Sequence, residues 1–338
     1  MTWGATLGSP VTALASGEAG ALCGLEDGRI VLLSVDGERL WQHELGSKVR
    51  SVGLARFPAG TVALAGTEAG DVKALNLADG AALWTYACQP FHGRSGSVAS
   101  VFPADLDGDG FHEVIAGSDN WHHHALSAAG ELLWRTDTTH ASTVGCAGDM
   151  TGDGRDDVIA GTEYYWPRLL DADGKDIRRT SGGPVTTAVA AVDFDGDGKA
   201  SALIGMDDCF IRCHTAEKAD VWAVNVGGSP TRIAPMDVNG DGRPEIVCSS
   251  ESFSVYAIDG AGVVLWRTQL PEVASDLAVV GDRVAVTCDD GQAYVLGRDG
   301  QVLVAGIAGT RPTSVAALGA DRAVLAVGDG VLAFRTRP

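Results

Sequence analysis

The sequence predicts an all-β fold, a single eight-bladed β-propeller of four-stranded antiparallel blades that spans residues 1–338. An Asp-rich motif recurs every 44 residues, a second motif of an apolar residue followed by Trp recurs at similar intervals, and no helical stripe of apolar residues appears. Short Val/Ile/Leu/Ala runs instead alternate with Gly/Asp turns, as in strand-rich repeats. A period of about 40–45 residues with four strands per unit is typical of propeller blades. Seven blades is the alternative count.

The Asp-rich motif occurs four times and defines blades 3 to 6, approximately residues 96–270. The copies read Asp-Leu-Asp-Gly-Asp-Gly, Asp-Met-Thr-Gly-Asp-Gly, Asp-Phe-Asp-Gly-Asp-Gly and Asp-Val-Asn-Gly-Asp-Gly, and they begin at Asp105, Asp149, Asp193 and Asp237. We expect each copy to join the innermost strand of a blade to the second strand.

The apolar-Trp motif marks the outermost strand of a blade. It occurs at Leu40-Trp41, Leu83-Trp84, Leu133-Trp134, Val221-Trp222 and Leu265-Trp266, and it degrades to Ile177-Arg178 in blade 4 and Leu303-Val304 in blade 7. Innermost strands are predicted to begin near Pro10, Val49, Val98, Ser142, Val185, Pro230, Ala274 and Thr313. The last unit ends before its outer strand, so we expect Thr2-Trp3 to supply that strand and to remove the open sheet edge.

Charge and composition exclude several classes of partner. The chain carries a formal net charge of −19, whereas nucleic acids and anionic membranes need a basic face. No apolar run reaches the roughly 18 residues of a membrane span. The first residues show neither the basic nor the apolar region of a signal peptide, so the expected location is cytoplasmic.

Two repeat families resemble these motifs. The apolar-Trp strand preceded by Asp-Gly, as in Asp79-Gly80-Ala81-Ala82-Leu83-Trp84, resembles the quinoprotein-type (PQQ-like) propeller repeat over nearly the whole chain. The Asp-rich loops of blades 3 to 6 resemble FG-GAP (VCBS-type) repeats, which occur in integrin α-chain heads and eight-bladed rhamnogalacturonan lyases. Both resemblances imply an architecture, and neither family has one shared activity. No nucleotide or quinone cofactor is expected.

The Asp-rich loops are predicted calcium sites. Calcium takes six to eight oxygen ligands, and acids at positions 1, 3, 5 and 9 with a carbonyl at position 7 can surround one ion. We expect three or four structural ions, with blade 5 the weakest site because it carries Ser201 at position 9; a plain Asp-Gly turn without metal is the alternative. The candidate ligands are Asp105, Asp107, Asp109 and Glu113; Asp149, Thr151, Asp153 and Asp157; Asp193, Asp195 and Asp197; and Asp237, Asn239, Asp241 and Glu245.

On the opposite face, the turns between second and third strands carry one acid in every blade. Turn chemistry alone favours acids at such positions, and this is the alternative to a functional ring of carboxylates. The acids are Glu26, Glu68, Asp119, Glu163, Asp207, Glu251, Asp289 and Asp329.

Blades 3 to 6 replace the Gly of this turn with bulky or reactive residues. The only two Trp outside the outer-strand motif, Trp121 and Trp166, fall in these turns. Aromatic, imidazole and carboxylate groups converging on one sector suit a ligand pocket over blades 3 to 5, and an exposed aromatic patch for a protein partner is the alternative. The proposed catalytic residues are His122, His140, Tyr164 and Tyr165, and the proposed ligand-binding residues are His92, Arg94, Asp119, Trp121, Glu163, Trp166, Asp207, Asp208, Phe210, Glu251 and Phe253.

The leading functional hypothesis is an acid/base enzyme, similar to a lyase or cyclase, that acts on a small molecule or saccharide. His122 or His140 would be the base or acid, and Tyr164 or Tyr165 the partner acid. The first alternative is a non-catalytic scaffold that binds a ligand or protein. The second is a transition-metal enzyme, because His122 and His124 on one strand face would lie about 6.6 Å apart, a separation that suits two ligands of one metal ion. The alternative for the run His122-His123-His124 is that it binds no metal, with one histidine in the core and two on the surface.

Overall fold

A computed structural model of the chain describes residues 1–180, 183, 185–306 and 310–337. The described residues form thirty-two strands in eight four-stranded antiparallel sheets, which confirms the predicted eight-bladed propeller. Among them, none lies in a helix that could span a bilayer.

The first half of the chain forms blades 1 to 4, after a short strand that belongs to the last blade. The strands are β1 (Trp3–Thr6), β2 (Val11–Gly17), β3 (Gly20–Leu25), β4 (Arg29–Leu33), β5 (Arg39–Glu44), β6 (Val49–Phe57), β7 (Gly60–Thr67), β8 (Asp71–Asn76), β9 (Ala82–Ala87), β10 (Val98–Ala104), β11 (Glu113–Ser118), β12 (His122–Leu126), β13 (Leu132–Asp137), β14 (Ser142–Gly148), β15 (Asp157–Thr162), β16 (Arg168–Leu170) and β17 (Asp176–Arg179).

The second half forms blades 5 to 8. The strands are β18 (Thr186–Val192), β19 (Ser201–Met206), β20 (Phe210–His214), β21 (Trp222–Asn225), β22 (Pro230–Met236), β23 (Glu245–Ser250), β24 (Ser254–Ile258), β25 (Val264–Gln269), β26 (Ala274–Val280), β27 (Arg283–Cys288), β28 (Ala293–Leu296), β29 (Val302–Ala305), β30 (Pro312–Leu318), β31 (Arg322–Val327) and β32 (Gly330–Arg335).

The N-terminal strand closes the ring, as predicted. Strand β1 pairs antiparallel with β32, with Trp3 opposite Ala333 and Thr6 opposite Gly330. Blade 8 therefore takes three strands from the C-terminus and its outer strand from the N-terminus. This pairing leaves no blade short of a strand.

The core lies between neighbouring blades rather than within one sheet. Second strands such as β3 and β15 are buried at every residue. One apolar cluster, for example, joins Leu22 and Leu32 of blade 1 to Ala63 and Leu75 of blade 2. Each blade thus buries its apolar face against the next blade, as expected for a repeat fold.

A β-bulge interrupts every innermost strand near its first residues. A bulge leaves one extra residue outside the ladder, and here its hydroxyl often binds the next blade. Thr12 Oγ1 donates to the Val49 carbonyl at 2.5 Å, and Thr231 Oγ1 donates to the Ala274 carbonyl at 2.6 Å. The register shifts fall between residues 11 and 13, 49 and 51, 98 and 100, 142 and 145, 186 and 188, 230 and 232, 274 and 276, and 312 and 314.

Outer-strand tryptophans fasten each blade to the next. Each indole N–H donates to a carbonyl in the third-to-fourth-strand turn of the following blade, and the ring covers a Gly of that turn. At Gly130, whose φ is +81°, an added Cβ would lie 2.6 Å from the ring of Trp84. The six bonds are Trp3 to Val35 at 2.9 Å, Trp41 to Leu77 at 2.8 Å, Trp84 to Ala128 at 2.9 Å, Trp134 to Ala172 at 2.8 Å, Trp222 to Gly260 at 2.8 Å and Trp266 to Arg298 at 2.7 Å.

The two blades without this Trp have separate explanations. In blade 4, Arg178 Nη2 donates to the Ala216 carbonyl of blade 5 at 3.1 Å. Arg178 therefore makes the inter-blade hydrogen bond that Trp makes elsewhere. In blade 7, Val304 faces a blade whose third and fourth strands, β32 and β1, are joined by no turn because they are the two ends of the chain. A Trp at this position would have no turn to bind.

We predict that Trp41→Ala lowers the free energy of unfolding by about 3–5 kcal/mol, because Trp41 is only 8% exposed and its removal leaves a cavity between blades 1 and 2. Trp41→Phe should keep most of the packing and lose about 1 kcal/mol with the hydrogen bond. Urea denaturation measures both. The neighbouring Leu40→Ala is the control, since Leu40 is 51% exposed and its loss should stay within about 0.5 kcal/mol. Equal losses at both positions would contradict blade docking by Trp.

Candidate functional site

The Asp-rich loops lie on one face, here called the lower face, between the first and second strands of blades 3 to 6. The carboxylate oxygens of Asp105, Asp107 and Asp109 all lie within 4.8 Å of one another, as do those of Asp193, Asp195 and Asp197. The first Asp also accepts backbone N–H groups of its own loop, for example from Gly108 at 2.8 Å and Gly110 at 2.9 Å. The loops of blades 3 and 5 therefore each hold three clustered carboxylates, a donor set that suits calcium.

The acid at position 9 faces the same loop in blades 3, 4 and 6. Glu113, Asp157 and Glu245 accept backbone N–H groups from Leu106 at 3.0 Å, Met150 at 2.8 Å and Val238 at 2.8 Å, respectively. Burial raises the pKa of Asp157 to about 6, and burial likewise raises the pKa of Glu113, with the nearby acids adding to the effect. A cation among these groups would relieve the cost of ionising them.

Hydrogen bonds join the loops of consecutive blades. The Asp156 N–H of blade 4 donates to the Asp105 carbonyl of blade 3 at 2.7 Å, and the Ala200 N–H of blade 5 donates to the Asp149 carbonyl of blade 4 at 2.6 Å. The equivalent residue in blade 6 is Pro244, which has no N–H. The loops therefore form a connected lower rim across blades 3 to 5.

The opposite, upper face carries the predicted ring of acids. In seven blades the backbone N–H of the acid donates to a carbonyl just before or at the start of the inner strand: Glu26 to Pro10, Glu68 to Lys48, Asp119 to Ser97, Glu163 to Ala141, Asp207 to Val185, Glu251 to Ser229 and Asp289 to Val273. These acids therefore occupy equivalent places. Four carboxylates of the ring are ion-paired, in Lys48–Glu26, Arg50–Asp119, Arg94–Glu163 and Arg311–Asp289.

The upper-face turns of blades 3 to 6 hold bulky residues in a left-handed backbone conformation. Blades 1, 2 and 7 use Gly28, Gly70 and Gly291 at this position, with φ between +87° and +99°. A non-Gly residue there costs of order 1–3 kcal/mol, and such strain commonly marks functional sites. The four residues, spaced 44 apart, are Trp121 (φ +70°), Tyr165 (φ +47°), Cys209 (φ +72°) and Phe253 (φ +59°).

Blade 4 presents an exposed aromatic patch, formed by Tyr164, Tyr165 and Trp166 with His140. The rings of Tyr164 and Tyr165 lie 4.4 Å apart, and His140 lies 5.2 Å from Tyr164 and 5.8 Å from Trp166. Tyr164 and Trp166 are each 48% exposed and Tyr165 is 39% exposed. Among the described residues, none of these Tyr hydroxyls hydrogen-bonds to a histidine, so the contacts are aromatic packing rather than an acid/base pair.

In blade 3 the short turn that precedes the inner strand covers the predicted site. Phe91 lies edge-on to His122 at 4.8 Å, and His92 stacks on Trp121 at 6.2 Å. Arg94 lies 5.4 Å from the Trp121 ring and pairs with Glu163 of blade 4 at 3.2 Å. Blades 3 and 4 are thereby joined across the upper face.

All three residues of the His run are buried, so the expectation of two surface histidines is wrong. His122 is 4% exposed and donates from Nδ1 to the Asn120 carbonyl at 2.8 Å, and burial lowers its pKa. His124 Nδ1 meets the Tyr86 hydroxyl at 3.2 Å. Within the described ranges, three His, Cys, Asp or Glu ligand atoms converge only in the two Asp triads. The transition-metal hypothesis gains no support.

The remaining predicted residues of blades 5 and 6 differ in whether their side chains are engaged within their own blade. Asp208 pairs with Arg212, which also lies 5.2 Å from the Phe210 ring, so both residues are engaged within blade 5. Phe253 is 39% exposed and follows Glu251 by two residues in the same turn. Asp207 accepts the Val185 N–H at 3.1 Å.

Five cavities of the structure lie away from the aromatic patch. Two are on the lower face beside the Asp-rich loops, two are at the ring closure, and the fifth is the central channel. None of these five is lined by Tyr164, Tyr165 or Trp166. The patch is therefore better described as a surface than as an enclosed pocket.

Comparisons with known proteins agree with this architecture. A family model described as outer membrane protein assembly factor BamB matches residues 2–119 and, overlapping, 26–187, which together exceed half of the chain. The computationally designed Ika8 protein is similar in structure with a TM-score of 0.77 and 17% identity, over 98% of both chains. BamB from Moraxella catarrhalis is similar with a TM-score of 0.73 and 18% identity, over 98% of this chain and 95% of that one. No curated protein matches the sequence.

We predict that His123→Val makes the protein less sensitive to acid. Burial, with the nearby Arg168 and His122, lowers the pKa of His123 to about 3, whereas the unfolded chain has an ordinary value near 6.5. Such a group stabilises the fold fully above pH 6.5, and that contribution is lost as the pH falls toward 3. Blades 2 and 6 carry Val72 and Val255 at the same register, so valine fits. Melting temperatures between pH 7 and pH 4 should fall less in the variant; identical declines would show that His123 is not the sensitive group.

Proposed function

Because this chain belongs to the PQQ-like β-propeller family whose model is described as outer membrane protein assembly factor BamB, we propose that it is a non-catalytic scaffold that docks a partner protein on the upper face of blades 3 to 6. The observation that carries this proposal is the row of four non-glycine residues held in strained left-handed turns, of which Tyr165 and Phe253 are exposed. A family described as an assembly factor favours a partner protein over a small substrate. This was the first alternative to the enzyme hypothesis.

The surroundings of the aromatic patch favour binding over catalysis. A general acid or base must reach its partner by hydrogen bond, whereas His140 contacts Tyr164 and Trp166 only through tilted rings. Exposed aromatic side chains supply large contact area at low entropy cost, and they are enriched in protein interfaces. Tyr164, Tyr165 and Trp166 are each at least 39% exposed, which leaves their rings accessible to a protein segment.

The chemistry of the upper face supports a cationic partner. Glu251 and Asp207 carry no ion pair among the described residues, and they stand in the same ring as the paired Glu163. Lys and Arg side chains bind aromatic faces through cation–π contacts as well as carboxylates. A net charge of −19 would also accelerate encounter with a basic partner. We infer a Lys/Arg-rich extended segment as the ligand of this surface.

We predict that a Lys-rich peptide binds the protein and that the double variant Tyr164→Ala/Trp166→Ala binds it about tenfold more weakly. Two exposed cation–π contacts of roughly 0.5–1 kcal/mol each correspond to a change of that size. Isothermal titration calorimetry with wild type and variant measures it.

Two controls define this test. Leu303→Ala, on the outer edge and 47% exposed, should bind like wild type, and a Glu-rich peptide of the same length should not bind. If the double variant binds the Lys-rich peptide as tightly as wild type, the aromatic patch is not the docking surface.

We also infer that calcium occupies the Asp-rich loops of blades 3 to 6 and stabilises the lower rim. Three carboxylates within 4.8 Å repel one another unless a cation lies among them, and this arrangement occurs in blades 3 and 5. Four ions would reduce the formal charge from −19 to −11. Because the loops of blades 3 to 5 are hydrogen-bonded to each other, ions there would hold several blades together.

We predict that removing calcium with a chelator lowers the melting temperature. Each site should contribute roughly 2.7 kcal/mol when free calcium is a hundredfold above its dissociation constant. Asp107→Asn should reduce the number of bound ions measured by elemental analysis, whereas Asp299→Asn, in an exposed turn of blade 7, should not. Fewer than one bound ion per chain together with no effect of chelator would rule out calcium.

A further inference from the structure

The central channel departs from the repeat at three positions. In each blade the bulge residue and the residue after it lie near the start of the inner strand, beside the central channel. Almost all of these residues are small and neutral. Only Arg50, Arg232 and Asp276 are charged. The sixteen residues are Thr12, Ala13, Arg50, Ser51, Ala99, Ser100, Thr143, Val144, Thr187, Ala188, Thr231, Arg232, Ser275, Asp276, Thr313 and Ser314.

The three charged residues line one cavity. The channel encloses about 290 Å³, and Arg50, Arg232 and Asp276 all contribute to its wall. This volume is at the lower limit of ligand pockets, about 300 Å³, so the space suits only a very small molecule. Repeat symmetry alone does not explain these charges, since the equivalent residues of the other blades are neutral.

Arg232 has donors to spare. Its Nε forms an ion pair with Asp276 Oδ1 at 3.2 Å, and its guanidinium donates no hydrogen bond to the residues that the structure describes. Asp276 is held in place, because it accepts the Leu277 N–H at 2.9 Å and the Val315 N–H at 3.0 Å. The side chain of Arg232 is 53% exposed, toward the channel water.

Arg50 is anchored on the opposite side of the channel. Its Nη1 donates to Ser97 Oγ at 2.6 Å and to Asp119 Oδ2 at 2.8 Å, both in blade 3, and the side chain is 33% exposed. Arg50 belongs to blade 2 and Arg232 to blade 6, and these blades face each other across an eight-bladed ring. Two oriented guanidinium groups thus face one small cavity from opposite walls.

We infer that the channel binds a short dicarboxylate, with one carboxylate on each guanidinium. The planar guanidinium fork matches a carboxylate geometrically, and its weaker hydration lowers the cost of binding in a confined space. The bulge hydroxyls of Thr12 and Thr143 already donate to neighbouring blades, and the two guanidinium groups are the cationic donors in the lining of the cavity. This site lies in the channel rather than on the aromatic patch of blade 4, and it meets the upper-face ring at Asp119, which holds Arg50.

Calorimetric titration with succinate, in calcium-saturated buffer, tests the inference. Wild type should bind one succinate per chain, and Arg232→Gln and Arg50→Gln should each weaken binding at least tenfold. Acetate, with one carboxylate, should bind at least tenfold more weakly than succinate. Arg39→Gln makes the same charge change on an exposed outer strand and should leave the affinity unchanged.

The outcomes separate clearly once melting temperatures show that the variants are folded. No saturable binding of succinate to wild type would overturn the inference. Retention of wild-type affinity in Arg232→Gln, or an equal loss in Arg39→Gln, would also overturn it, because binding would then depend on overall charge rather than on the channel.

Discussion

The hydrogen bond from an outer-strand indole to a turn of the next blade is the contact on which the rest of this structure depends. A blade alone cannot bury both of its faces, so its stability comes from how firmly it meets its neighbours. Trp supplies a large apolar ring and one directed donor at the rim of that interface. Closure by β1 lets Trp3 make the same contact to blade 1, and the ring is complete.

Tight packing between blades can stabilise residues in strained backbone conformations elsewhere in the ring. Residues such as Trp121 and Phe253 keep a backbone conformation that glycine adopts more easily, and they persist because the blades around them fix the turn. Their regular 44-residue spacing places them along one arc of the upper face. The same regularity makes the charges at Arg50 and Arg232 conspicuous, since the repeat predicts a neutral channel.

Most of the fold followed from the sequence, because the repeat fixes strand number, order and closure before any contact is known. The sequence also shows that blades 3 to 6 lack the turn glycines. It does not show that Cys209 and its equivalents adopt a positive φ. The expectation of one core and two surface histidines missed that all three are buried, although the register of His123 matches the buried Val72 of blade 2. The ion pairs of Arg50 and Arg94 join different blades, and single-sequence reasoning has no access to such pairings.

The central claim is that one arc of the upper face, and not the whole carboxylate ring, is the working surface. Amide hydrogen exchange with and without a bound Lys-rich peptide tests it most directly, since the method compares all eight upper-face turns at once. The account predicts slower exchange in the upper-face turns of blades 3 to 6, at residues 119–124, 163–167, 207–210 and 251–254, with the turns at Glu26, Glu68 and Asp289 unchanged. Equal protection of all eight turns, or protection confined to the lower face, would contradict it.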